Sequence, residues 1–136
     1  MRLALLVPLC LGLAGCKAEP PAADPLALLG ANSEWRVSEI AGAPVAPGVT
    51  VTLATPEPGL IAGSSGCNRY SGRVSLRDGQ LHVGALAGTR MMCPPAQMQA
   101  EQGFHSTIGR VRSARLVAET LELTDEAGTV LIRAAR

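Results

Sequence analysis

Residues 63–83 read GSSGCNRYSGRVSLRDGQLHV, and this stretch decides the fold class. Asp78-Gly79 is typical of a two-residue type I′ turn, because both central residues of that turn need positive φ. It predicts a hairpin that joins a strand at 70–76 to a strand at 80–83. Gly63, Gly66 and Gly72 predict positive φ or a close backbone approach around Cys67. The stretch therefore favours an antiparallel sheet.

On both sides of this hairpin, short apolar runs alternate with turn residues, as in antiparallel proteins. VTVTL at 49–53 alternates strictly and is rich in β-branched residues. After Pro94-Pro95 the pattern changes, and Phe104, Ile108 and Val111 fall on one helical stripe. We therefore predict one helix at about 95–110 in an α+β domain. The predicted strands are 35–40, 49–53, 60–62, 70–76, 80–83, 86–92, 114–118, 120–124 and 129–133.

The N-terminal segment has the features of an export signal. One basic residue, Arg2, precedes an apolar run at 3–15. That run is shorter than the ~20 residues that a membrane span needs, and it ends in small residues. LAGC at 13–16 resembles the lipobox of bacterial lipoproteins, in which the cysteine is diacylated and becomes the new N-terminus. We predict a signal peptide at 1–15 and lipidation of Cys16; the alternative is an ordinary secretory signal with a chance cysteine.

Cysteine usage then predicts one disulfide. Removal of the signal eliminates Cys10, and lipid occupies Cys16. Cys67 and Cys93 remain as a single pair in an oxidising compartment.

Two alternatives to the bridge stay open. Cys67 and Cys93 could bind a metal with His82 and His105, although zinc ligands usually come in close pairs in the sequence. An unpaired Cys67 could instead act as a nucleophile beside one of these histidines.

The net charge of the chain says little about its binding partners. The chain has 12 basic and 11 acidic side chains, so loss of Arg2 leaves the mature protein near neutral. No run of Lys or Arg predicts nucleic-acid binding. Arg110, Arg112 and Arg115 form a loose cluster, which we interpret as a solvated face. The segment at 16–32 is interpreted as the lipidated cysteine and a flexible Ala/Pro-rich tether, with a short docking turn of its leucines as the alternative.

The remaining motifs identify a family. The chain has a tryptophan at Trp35, GSSGCNRYSG at 63–72 and TRMMCP at 89–94. Met98, Glu101 and Phe104 follow at M-x-x-E-x-x-F spacing, and L-x-L-x-D-x-x-G-x-x-L spans 121–131. In this order they resemble the META domain of the HslJ-type lipoproteins, over residues 33–136.

The resemblance implies a compact, barrel-like antiparallel sheet of about eight strands with one helix. The fold is similar to that of the lipid-anchored pilot proteins of outer-membrane secretins. The family is linked to heat-shock induction and novobiocin tolerance, but it implies no catalytic residue, cofactor or metal. Its motifs contain the candidate structural or binding residues, which are Trp35, Asn68, Arg69, Tyr70, Arg90, Glu101 and Phe104.

Two of these residues allow a physical prediction. Asn68 is expected to cap a turn with its own side chain. Glu101 lies on the stripe of Phe104, so its carboxylate should be partly buried and need a partner. We predict that Arg90 or Arg69 pairs with it. The alternative is that Glu101 is a general acid or base.

The sequence contains no G-x-S-x-G, C-x-x-C, H-E-x-x-H or phosphate-loop motif, so we predict no enzyme. We expect a periplasmic lipoprotein that binds an envelope protein, peptide or lipid and supports stress tolerance. A structural envelope protein without a small ligand, or a hydrolase using Cys67, His82 or Glu101, are the alternatives. Lys17 after Cys16, where aspartate would resemble an inner-membrane retention signal, favours the periplasmic face of the outer membrane.

Overall fold

A computed structural model describes residues 23–136, so the predicted signal peptide and Cys16 lie outside the described residues. Two helices and ten strands form this part of the chain. The helices are α1 (Pro25–Leu29) and α2 (Pro95–Ile108). The strands are β1 (Ser33–Ile40), β2 (Ala43–Pro44), β3 (Thr52–Thr55), β4 (Leu60–Ser64), β5 (Arg69–Arg77), β6 (Gln80–Val83), β7 (Ala87–Gly88), β8 (Ser113–Val117), β9 (Thr120–Thr124) and β10 (Val130–Ala135).

The strands form one antiparallel sheet in the order β6-β5-β4-β3-β1-β10-β9-β8, with β2 beside β1 and β7 beside β5. This confirms the predicted α+β class with one main helix. The sheet curls until its two end strands meet, where the Leu81 N–H donates to the Arg112 carbonyl at 2.6 Å. No strand pairing joins β6 to β8 within residues 23–136. The sheet is therefore barrel-like but not closed.

Helix α1 lies at the seam between the two end strands. It packs against β8 and also contacts β5 and β6. Asp24 caps its first turn by accepting a hydrogen bond from the Leu26 N–H at 2.9 Å. Leu29 is buried, and its carbonyl accepts a hydrogen bond from Trp35 Nε1 at 3.1 Å. Residues 25–29 thus form the docking turn that was the alternative to a free tether.

The core is mainly aliphatic, because the chain has only one Trp, one Tyr and one Phe. Trp35, Tyr70 and Phe104 are all buried in it. Helix α2 packs on β1 and β10 and places the Phe104 ring 4.9 Å from the Tyr70 ring, centroid to centroid. Val111 is also buried, although it lies just beyond the last residue of α2.

The hairpin between β5 and β6 is confirmed. Arg77 pairs with Gln80, and the turn residues Asp78 and Gly79 have φ of 51° and 76°. Both values lie in the left-handed region that a type I′ turn requires.

Besides shifts of one or two residues at the ends of other strands, three predicted strands differ from the structure. The strand at 86–92 is wrong beyond Ala87–Gly88. The Thr89 N–H still bonds the Arg69 carbonyl, but Thr89 Oγ1 and the Met91 N–H donate to the Asn68 side chain instead of continuing the strand pairing. The strand at 49–53 starts later, since Val51 forms only an isolated bridge. The strand predicted at 129–133 runs from Val130 to Ala135 and is irregular. A bulge between Val130 and Ile132 lets Leu131 and Ile132 both be buried.

Candidate binding cleft beside the disulfide

The predicted disulfide is present. It joins Cys67, in the loop before β5, to Cys93, just before α2, with their Cα atoms 5.8 Å apart. Because both sulfurs are bonded to each other, the metal and nucleophile alternatives would require a reduced form. Among residues 23–136, no three His, Cys, Asp or Glu side chains are grouped as metal ligands.

Gly66 lets the loop lie directly on α2. A Cβ atom there would lie 2.8 Å from the carbonyl oxygen of Gln97, which is closer than real Cβ contacts come. Its φ of 118° is also unfavourable for an L side chain. The glycine therefore allows the loop to pack against the helix backbone beside the disulfide.

Asn68 is buried and connects three segments of the chain. Its Nδ2 donates to the Met91 carbonyl at 3.1 Å and to the two carboxylate oxygens of Glu101 at 3.1 and 3.0 Å. Its Oδ1 accepts from the Met91 N–H at 2.6 Å and from Thr89 Oγ1 at 3.0 Å. We call Asn68, Thr89, Met91 and Glu101 the Asn68 cluster. The prediction that Asn68 caps its own turn is wrong, because the side chain bonds segments distant in sequence.

Glu101 is partly buried, with 15% of its side chain exposed. The predicted arginine partner is wrong, since neither Arg69 nor Arg90 lies within salt-bridge distance of it. Asn68 donates to the carboxylate instead, and His105 Nε2 lies 3.7 Å from Oε1. The i,i+4 spacing on α2 puts this imidazole on the same face.

The two arginines line a cleft of about 450 Å³. Both are exposed, and neither guanidinium is within salt-bridge distance of any carboxylate in the part of the chain that the structure describes. Met91 and Met92, which follow directly, are 57% and 88% exposed. We call this the arginine cleft. It is lined by Arg69, Leu86, Ala87, Gly88, Thr89, Arg90, Glu101 and His105.

Backbone pairing fixes both sides of the cleft. The Arg69 N–H donates to Thr89 Oγ1 at 3.2 Å, and its carbonyl accepts from the Thr89 N–H at 3.1 Å. A Cβ at Gly88 would lie 2.6 Å from the Arg69 carbonyl oxygen, so only glycine permits this approach. The arginine side chains are therefore exposed groups on backbone whose position is fixed by these contacts.

The three aromatic candidates are core residues and do not line the cleft. The Tyr70 hydroxyl donates to the Thr52 carbonyl at 2.8 Å, and burial raises the pKa of this phenol. Trp35 is covered by the guanidinium of Arg136, whose Cζ lies 4.4 Å from the ring centroid. His82 lies on β6 opposite Ser75 and also does not line the cleft.

Sequence reasoning missed a row of ion pairs across four strands. Glu39 on β1, Arg133 on β10, Glu122 on β9 and Arg115 on β8 are direct neighbours in the sheet register. Glu122 accepts from Arg115 Nε at 2.7 Å and from Arg133 Nε at 3.1 Å, and Arg133 also donates to Glu39. The hydrogen bond from Arg115 is the main reason why the pKa of Glu122 lies below its usual value. We call these four residues the ion-pair row.

Arg110 and Arg115 are exposed, as their interpretation as a solvated face implies, but two of the three clustered arginines also have intramolecular partners. Arg115 pairs with Glu122, and Arg112 donates to the carbonyls of Gly109 and Val111 at the end of α2. The only sequence signal was the placement of charges on neighbouring predicted strands. Without the register, that signal does not identify which charges meet.

Neither of the helices at 25–29 and 95–108 has the length and apolarity needed to cross a membrane.

Comparison with known proteins supports the family that the sequence motifs indicated. The model of the META domain family matches residues 26–136. A solved NMR structure of a protein from Burkholderia xenovorans is similar, with 26% identity, 96% of this chain and 98% of that chain covered, and a TM-score of 0.64. A second NMR structure has 26% identity over 76% of this chain and 89% of its own, with a TM-score of 0.56. Curated proteins give no match.

Proposed function

This chain belongs to the META domain family, and on that premise we propose that it is a lipid-anchored, non-enzymatic binding module of the bacterial envelope. It acts at the periplasmic face of the outer membrane and supports tolerance of envelope stress. The arginine cleft is its binding site, and an acidic segment of an envelope protein is its ligand.

The observation that carries this proposal is the pair of arginines that have no carboxylate partner among residues 23–136. Guanidinium groups bind carboxylates through two parallel hydrogen bonds, so Arg69 and Arg90 suit acidic side chains. Exposed Met91 and Met92 add flexible apolar surface beside the charge, which adapts to varied peptide side chains. A partner with neighbouring acidic and apolar residues fits both features.

The anchor rests on the sequence LAGC at 13–16, and the outer-membrane location on Lys17. We expect the protein to sediment with membranes and to carry the mass of its acyl chains. Cys16→Ser should release it into the soluble fraction. A wild-type protein that is soluble and unacylated would contradict the anchor.

The cleft can be tested in living cells with a photoreactive amino acid in place of Met92, which is 88% exposed. We expect a cross-linked envelope protein. The adduct should disappear when Arg69→Glu and Arg90→Glu reverse the charge of the cleft. It should persist in the matched control with Arg77→Glu and Arg110→Glu, two exposed arginines outside the cleft. Absence of any adduct would favour a structural protein without a ligand.

The hydrolase alternative has less support. Cys67 is bonded to Cys93, both oxygens of Glu101 accept from Asn68, and His82 lies outside the cleft. Cys67, His82 and Glu101 therefore do not come together as one catalytic group in the cleft.

A further inference from the structure

The end of the sheet where the described chain begins also contains three hairpin turns. Helix α1 leads into Ser33, and Ser33 Oγ accepts from Arg136 at 3.3 Å. Strand pairing places the turns at 56–59, 78–79 and 118–119 at this same end. We call it the entry end. The loop at 65–68, the Asn68 cluster and the exposed methionines lie toward the opposite end.

The entry end exposes large apolar side chains at its turns. Leu116 and Val117, just before the turn at 118–119, are 46% and 51% exposed. Leu76, just before the turn at 78–79, is 37% exposed. The other large exposed apolar residues of the described chain are Met91 and Met92, at the arginine cleft.

Tether length decides which end meets the membrane. Eight residues, 17–24, separate Cys16 from α1. Fully extended, such a Pro-rich spacer spans about 25 Å. A domain of this size has a radius of gyration of about 13 Å, which corresponds to a diameter of roughly 34 Å. The tether is thus too short to pass around the domain, and the far end cannot turn to the bilayer.

We propose that the entry end rests on the lipid surface that holds the anchor, with Leu76, Leu116 and Val117 inserted among the lipid headgroups. The arginine cleft then faces away from the membrane, toward partners in the aqueous space. This orientation rests on the lipid anchor proposed above.

Charge at the entry end predicts how it contacts lipid. Arg73, Arg77 and Arg136 are offset by acidic Glu57, Asp78 and Glu119, and Glu57 pairs with Arg73 at 3.8 Å. Attraction to anionic headgroups is therefore weak, and apolar burial drives the contact. The contact should therefore form on neutral phosphatidylcholine, and added salt should change its strength little.

The test couples Cys16 of the chain from residue 16 onward to a maleimide lipid in phosphatidylcholine vesicles with brominated acyl chains. The disulfide leaves Cys16 as the free thiol. Leu116→Trp, Leu76→Trp and Met92→Trp are compared with the parent, whose buried Trp35 supplies the background. We expect the indole introduced by Leu116→Trp or Leu76→Trp to lose about half of its fluorescence, because bromine quenches an indole buried at the headgroup boundary. The matched Met92→Trp indole should be almost unquenched.

Equal quenching at Met92→Trp, or none at either hairpin, would overturn the orientation. If one hairpin variant fails to fold, the other still decides the result. Because the lipid is coupled chemically, the outcome does not depend on whether cells lipidate Cys16. Failure of membrane sedimentation would overturn the proposed function and leave this measurement interpretable.

Discussion

Glu101 and Glu122 are both largely withdrawn from solvent, with 15% and 9% of their side chains exposed, yet they are stabilised differently. Glu101 accepts from the neutral amide of Asn68, and His105 Nε2 lies 3.7 Å from its carboxylate. Glu122 lies between two arginines. The first carboxylate belongs to a cluster that organises irregular backbone, and the second belongs to regular sheet.

The difference shows what each carboxylate does for the fold. In the Asn68 cluster, the amide of Asn68 bonds the backbone N–H and carbonyl of Met91, which lies outside the strands. Loss of this amide would therefore leave several polar groups unbonded. In the ion-pair row, the strands are already held by backbone hydrogen bonds. There the charges add stability to a structure that exists without them.

Breaking the bridge beside the Asn68 cluster should have the largest effect. Cys67 and Cys93 are 26 residues apart in the sequence. The double variant Cys67→Ser and Cys93→Ser should lower the free energy of unfolding by about 3.5 kcal/mol, because the unfolded chain regains loop entropy. Urea unfolding measures this. A reductant should destabilise the wild type by a similar amount and leave the double variant unchanged; a change in both would contradict the assignment.

Removing the side chain of Asn68, the centre of the cluster, should give the second-largest loss in the free energy of unfolding. Asn68→Ala leaves the Met91 N–H and carbonyl, Thr89 and Glu101 without this partner, and should cost about 3 kcal/mol. Urea unfolding of the oxidised protein measures the loss. Gln102→Ala, at an exposed position of α2, is the control and should change stability little. A loss below that of the control would show that water replaces the amide without cost.

Neutralising Glu122, the centre of the ion-pair row, should lower the free energy of unfolding by a smaller amount. Glu122→Gln keeps the shape of the side chain but removes its charge between Arg115 and Arg133, with an expected loss of about 2 kcal/mol. Thermal or urea unfolding near pH 7 tests this. Glu119→Gln, exposed in the adjacent turn, provides the control. A larger loss for Glu122→Gln than for Asn68→Ala would reverse the comparison.

The smallest effect should come from acid acting on Glu122. The pKa of Glu122 in the folded protein lies below its usual 4.5, chiefly through its hydrogen bond from Arg115. The stabilisation is therefore complete above pH 4.5 and is lost as the pH falls through the lowered folded pKa. The stability difference between wild type and Glu122→Gln should shrink in that acidic range. A constant difference down to low pH would contradict this origin of the pKa shift.

Local chemistry made part of the fold predictable. Asp78-Gly79 has few favourable conformations other than its turn, and the Phe104 and Ile108 spacing matches a helix. The strand at 86–92 could not be predicted correctly, because the Asn68 side chain and not local propensity holds residues 89–91. The bulge beside Leu131 could not be predicted from the sequence either, since it arises from the pairing of β10 with β9.

The candidate site was half predictable. The motifs identified Asn68, Arg69, Arg90 and Glu101, and the structure brings them together beside the middle of α2. Their partners were not predictable, because hydrogen bonds between residues 20 to 33 positions apart depend on how the chain folds back. Arg69 and Arg90, which were predicted to pair with Glu101, instead line the arginine cleft without a salt bridge to it.

Taken alone, the sequence determined the hairpin, the main helix, the cysteine pair and the family, because turn geometry, periodicity and residue identity are local properties. Only the tertiary structure decided that α1 covers the seam, that an amide supports Glu101 and that Glu122 joins two arginines. These contacts depend on strand register and on loops meeting a helix, neither of which is encoded in any short segment. A register shift by one residue would move Glu122 to the opposite face of the sheet.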